Sequence, residues 1–123
     1  MKIEINQLVE GSCFTICEVV VNGRLLVRKY MDSLTPEDFR GIIGRIEWIA
    51  EKGDPKNEKK FRHLEDKIFE IKYNKVRIFC FYCDRRLILL THGVKKQKRK
   101  TDREDIERAQ RIRSIFLNSR GRR

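Results

Sequence analysis

The alternation of apolar and polar positions predicts a β-rich start, a long helix, a strand meander and a closing helix. From Cys13 to Val27 apolar and β-branched residues dominate, broken by Asn22-Gly23. That pair, between Val19-Val20-Val21 and Leu25-Leu26-Val27, predicts a hairpin because both turn residues tolerate positive φ. A helix follows: Thr35 can cap it, Pro36 suits its first position, and Glu37 and Asp38 favour its positive end. Phe39, Ile42, Ile43, Ile46, Ile49 and Ala50 recur at helical spacing as one apolar stripe, which Gly53 and Pro55 stop. Gly41 and Gly44 weaken the first half, enough to allow a break into two short helices.

Residues 56–63 are polar and predict a connector. Ile68 to Lys72, Val76 to Cys83 and Leu87 to His92 then predict a three-stranded antiparallel meander, with turns at Tyr73-Asn74-Lys75 and Asp84-Arg85-Arg86. Gly93 to Lys100 is a basic loop. Thr101-Asp102-Arg103-Glu104 has the form of a capping box, with Thr101 accepting from the backbone and Glu104 reaching back. Ile106, Ala109, Ile112, Arg113 and Phe116 give the last helix a thinner stripe. The expectation is a single α+β domain over 1–123, with 1–12 and 118–123 as disordered ends.

Charge changes the picture more than composition does. Lys and Arg number 29 against 18 Asp and Glu, for a formal charge of +11. Residues 1–55 carry 7 basic and 9 acidic side chains, whereas 56–123 carry 22 and 9. Such polarity is the footprint of a polyanion binder, because each neutralised phosphate releases condensed counterions. No apolar run approaches the roughly 18 residues of a membrane span. Met1-Lys2-Ile3-Glu4-Ile5 has neither a basic n-region nor an apolar h-region, so the expected location is the cytoplasm.

Cys13, Cys17, Cys80 and Cys83 invite a zinc reading, but Cys80 and Cys83 lie in a strand pattern where residues three apart face opposite ways. The expectation is buried thiols, no metal and no cofactor. Alternation places Val76, Ile78, Cys80 and Tyr82 on one strand face and Arg77, Phe79, Phe81 and Cys83 on the other. An Arg in so apolar a strand is costly unless it meets an anion. Arg77 therefore either pairs with Glu70 or Asp66, or serves as a fork for phosphate, with Lys72 as a second charge at the same end. His92 and His63 are each either structural or available for proton transfer. The chain lacks a phosphate-cradling Gly loop, an H-E-x-x-H, a Mg²⁺-type carboxylate cluster and a Ser-centred elbow. Chemistry on RNA remains open without metal: a 2′-hydroxyl attacks the adjacent phosphate while Lys and Arg neutralise the transition state.

The ordered runs Lys60-Phe61-Arg62-His63-Leu64, Ile68-Phe69-Glu70-Ile71-Lys72, Val76-Arg77-Ile78-Phe79-Cys80-Phe81 and Leu89-Leu90-Thr91-His92-Gly93-Val94-Lys95-Lys96, with the helix from Thr101 to Ala109, resemble the RelE/ParE toxin superfamily. The HigB-like, phage-derived branch is the most similar, and the resemblance covers about residues 25–117. It implies helices packed on a twisted, mostly antiparallel sheet, and the toxin of a type II toxin–antitoxin module that cleaves mRNA on the ribosome. Partners would be mRNA, the ribosome and a cognate antitoxin of helix-turn-helix type. By position it implies catalytic roles for Arg77, His92, Lys95, Lys96 and His63. Arg62, Lys72, Lys98 and Arg99 would bind RNA phosphate. Lys72 stands where Arg is usual, Val94 where Phe is usual, and no Tyr follows Tyr82. The alternatives are a gyrase-directed or other protein-binding toxin without nuclease chemistry, and a non-catalytic RNA-binding module.

Overall fold

The computed structural model describes residues 1–120. Its elements in chain order are β1 (Ile3–Glu10), β2 (Thr15–Val21), β3 (Arg24–Leu25), α1 (Leu26–Asp32), α2 (Pro36–Lys52), β4 (Phe61–Glu65), β5 (Ile68–Tyr73), β6 (Val76–Asp84), β7 (Leu87–Lys95) and α3 (Arg103–Arg120). The fold is α+β, as the apolar pattern predicts. One mixed sheet runs in the order β1-β2-β7-β6-β5-β4, with β3 paired to β2. Only the β2–β7 pairing is parallel; the meander β5-β6-β7 is antiparallel throughout.

Alternation along β6 sorts the core into two layers. Val76, Ile78 and Cys80 pack with Val27 and Met31 of α1 and with Ile42, Ile46, Ile49 and Ala50 of α2. Phe79 and Phe81 pack on the other face with Ile106, Ala109, Ile112 and Phe116 of α3. Each fully buried Ile or Phe contributes about 1.5–3 kcal/mol, so the helices are held mainly by these stripes. In β7, a bulge opposite Phe79 and Cys80 shifts the alternation, so His92 lies opposite Phe79 and Leu90 opposite Cys80.

Several local expectations are corrected. The hairpin turn at Asn22-Gly23 forms, with φ of 50° and 79°, but its second arm ends at Leu25. Leu26 and Val27 open α1 instead, because the Glu18 carboxylate on β2 accepts the Arg28 backbone N–H at 3.1 Å and caps the helix from across the sheet. Helix α2 begins on the Thr35 cap and ends at Gly53 as expected, yet it runs unbroken through Gly41 and Gly44. Gly41 supplies a close approach there: a Cβ would stand 2.1 Å from the Tyr73 ring.

The connector 56–63 is shorter than expected, since Phe61, Arg62 and His63 form the start of edge strand β4 against β5. Nor is 1–12 a disordered end, because Ile3–Glu10 pairs with β2. At the other end α3 includes residues 118–120, while 121–123 lie outside the described residues. The Thr101 capping box does not form. Asp102 accepts the Glu104 N–H at 3.0 Å, and the Thr101 hydroxyl is drawn to Glu70.

Candidate nucleic-acid interface

Strand register brings the charged residues to one end of the α3 face. Arg62 stands opposite Glu70, and Lys72 opposite Arg77. Glu70, only 1% exposed, is the hub. Its Oε1 lies 3.2 Å from Arg77 Nε, and its Oε2 lies 3.4 Å from Arg62 Nη2. The Thr101 hydroxyl donates to the same Oε2 at 3.2 Å and accepts from Arg62, tying the start of α3 to the sheet. Of the two roles left open for Arg77, the geometry selects the internal pair: its Nη1 also donates to the Asn74 and Val76 carbonyls at 2.7 and 2.9 Å. Arg77 is thus committed to Glu70 through Nε and to two carbonyls through Nη1, and its side chain also lines the cleft above.

A cleft of about 190 Å³ opens above this network. Arg77 and Phe79 line it together with Lys95, Lys96, Lys98 and Lys100, and Asp102 and Asp105 of the α3 start border it. Lys96 is anchored by its backbone N–H, which donates to the Lys75 carbonyl at 2.7 Å. Lys72 is held below the usual lysine range, chiefly by burial and then by Arg77, with Arg62 and Lys96 adding to the effect and Glu70 opposing it. Arg62, Lys72, Arg77 and Lys96 thus share one electrostatic neighbourhood with a single buried carboxylate among them. Arg99 is exposed on the same loop but does not line the cleft.

Neither histidine lines the cleft. His63 faces the α2 side, where its ring lies 4.9 Å from that of Phe69 and its Nε2 meets the Asp66 carbonyl. His92 is 1% exposed beneath the cleft, its ring 4.8 Å from Phe79. The Thr91 hydroxyl donates to the Phe79 carbonyl at 3.2 Å, so it accepts from His92 Nδ1 at 3.1 Å, which places the ring proton on Nδ1. His92 Nε2 then faces Asp105 Oδ1 at 3.4 Å. Burial, assisted by Arg108, lowers the His92 pKa to about 4, and burial raises that of Asp105. Composition gave no hint of Asp105. Its signal is spacing: it precedes Ala109 by four residues and Ile112 by seven, placing a carboxylate on the apolar stripe of α3.

The neutral His92 has a consequence for stability. Between pH 6.5 and about 4 the unfolded chain binds a proton that the folded state refuses, so stability is complete above 6.5 and falls as pH drops through this window. The expected loss is about 3 kcal/mol, partly offset by Asp105, which takes up a proton more readily when folded. Urea midpoints measured from pH 7 to 4.5 should decline for the native chain and stay nearly level for His92→Gln. Equal slopes for the two would remove His92 as the cause.

Cys17 and Cys83 share the α3 face and Cys80 packs on the opposite one, while the expectation of a buried thiol is corrected at Cys13, which is exposed. Burial raises the thiol pKa of both Cys17 and Cys80, as expected of small hydrophobes. No helix among the described residues is long and apolar enough to cross a membrane.

Compared with known families, residues 29–114 match the model described as phage derived protein Gp49-like (DUF891). A search of curated proteins found no match. The matched span contains the end of α1, all of α2, the whole meander and most of α3, hence all the cleft residues.

Proposed function

Because this chain belongs to the Gp49-like family of phage-derived proteins, a toxin-like family related to RelE and HigB, we propose that it is the toxin of a type II toxin–antitoxin module and cleaves mRNA on the ribosome without a metal. The observation that carries this reading is the convergence of Lys95, Lys96, Lys98 and Lys100 around one cleft braced by the Arg62–Glu70–Arg77 network, with Lys72 opposite Arg77 on the same sheet face. The Arg residues set the shape and field of the site, and the lysines meet the phosphate. In the reaction, the 2′-oxygen bonds to phosphorus, the P–O5′ bond breaks, and a 2′,3′-cyclic phosphate and a 5′-hydroxyl result. The 2′-hydroxyl proton passes to solvent water, and Lys96 neutralises the pentacovalent phosphate and returns a proton to O5′. His92 acts as a positioning residue under the cleft, and His63 takes no part.

The antitoxin would silence the site by covering the basic surface with carboxylates. Inducing the chain from a tight promoter and mapping mRNA ends tests the reading: new 5′ ends within translated regions are expected. Growth arrest with intact messages would overturn it. One feature favours a second reading, a protein-binding toxin: a groove of about 330 Å³ between α1 and α2, where Phe39 is 37% exposed beside Ile43 and Met31. Arrest with whole mRNA would turn attention to that groove.

A further inference from the structure

Among the described residues, Trp48 is the bulkiest of the exposed hydrophobic side chains, 46% accessible on the outer side of α2. It borders a hollow of about 230 Å³ walled by Gly41, Gly44, Arg45, Lys60 and Tyr73. Tyr73 packs against Gly41, and the Arg45 guanidinium stands 5.7 Å from the centre of its ring. A side chain at Gly44 would meet nothing within 4 Å, so the helix backbone is bare at this point. The charges lining the hollow are Arg45 and Lys60, and neither is paired with a carboxylate among the described residues.

The hollow and the basic cleft occupy opposite faces of the same sheet end. Lys72 and Tyr73 are neighbours on β5, and successive strand residues face opposite ways, so Lys72 belongs to the cleft face and Tyr73 to the hollow. The Lys72 backbone N–H donates to the Lys60 carbonyl at 2.8 Å across the edge. Lys72, whose ammonium donates to the Glu58 carbonyl at 3.1 Å, thus lies beside Lys60 at the start of β4, and Lys60 lines the hollow.

The geometry points to a second nucleic-acid subsite: the hollow receives an unpaired base of single-stranded RNA, stacked on Trp48, as the strand leaves the cleft past Lys72 and Lys60. The inference rests on the cleft reading given above. A flat ring beside unpaired cations is the arrangement by which proteins hold single strands with little sequence preference, because every base offers a π-face. A protein helix, by contrast, would need a continuous apolar groove, and here Trp48 shares the hollow with two cations.

Trp48 is the chain's one tryptophan, so its emission reports on the hollow alone. The test uses labelled 2′-O-methyl oligonucleotides, which the proposed chemistry cannot cut, of about 4 and about 12 nucleotides. The longer one is expected to quench Trp48 fluorescence and to bind Trp48→Ala about tenfold more weakly, with Trp48→Phe retaining most of the affinity. The shorter one should bind all three proteins alike. Binding of the longer oligonucleotide with unchanged emission, and with no loss in Trp48→Ala, would overturn the hollow while leaving the cleft standing. Failure of both lengths to bind would overturn both.

Discussion

Glu70→Gln is expected to cost about 3 kcal/mol of stability, read as a fall of about 1.5 M in the urea midpoint. Glu70 is fully buried between two guanidinium groups and accepts the Thr101 hydroxyl as well. Removing its charge leaves Arg77, itself only 9% exposed, with two backbone carbonyls but no counter-charge. Arg62 suffers less because a third of its side chain reaches solvent. The explanation makes a second demand. A buried ion pair replaced as a whole by apolar groups costs far less than one broken in half. Glu70→Leu combined with Arg77→Met should therefore recover most of the loss seen for Glu70→Leu alone. If the double variant is as unstable as the sum of its parts, the network does not hold the strands together as described.

This network also shows where the sequence was legible and where it was not. The two faces of β6 could be read residue by residue, because a side chain's face follows from its parity along a strand. Helix α2 announced itself through Thr35, Pro36 and its isoleucine stripe, all local signals. Helix α1 gave none, since its cap is Glu18, ten residues upstream on another element. Strand β4 was hidden by the charges of Arg62 and His63, which alternate around Phe61 and Leu64 only once β5 supplies a partner. Thr101 illustrates the reverse case. Its capping-box pattern is sound locally, yet a buried carboxylate outcompetes the backbone for the hydroxyl.

The candidate site was legible as composition more than as geometry. The lysine-rich stretch from Lys95 to Lys100 does gather around one cleft, because charges of one sign so close in sequence share a neighbourhood. Which cation is free and which is committed depends on partners from other strands. The sequence leaves Arg77 either paired with a carboxylate or free for phosphate; in the fold it pairs with Glu70, while Lys96 makes no ion pair among the described residues and lines the cleft. The placement of the histidines escaped the sequence for the same reason. The β7 bulge turns His92 inward onto Phe79, and β4 turns His63 toward Phe69.

Lys96→Ala is expected to slow single-turnover cleavage of ribosome-bound mRNA by about 10² to 10³-fold, the loss typical of removing one preorganised group that stabilises a developing charge. Its side chain makes no ion pair among the described residues, and its fixed position comes from a backbone bond to Lys75 that alanine preserves. The unfolding midpoint should therefore stay put, which separates this variant from Glu70→Gln. Lys96→Arg keeps the charge and should restore part of the rate, though an arginine is a poor proton donor and full recovery is not expected. His63→Ala, on the far side of the sheet, should cleave at the native rate. A rate unchanged in Lys96→Ala, or one that collapses in His63→Ala, would place the chemistry outside the α3-face cleft.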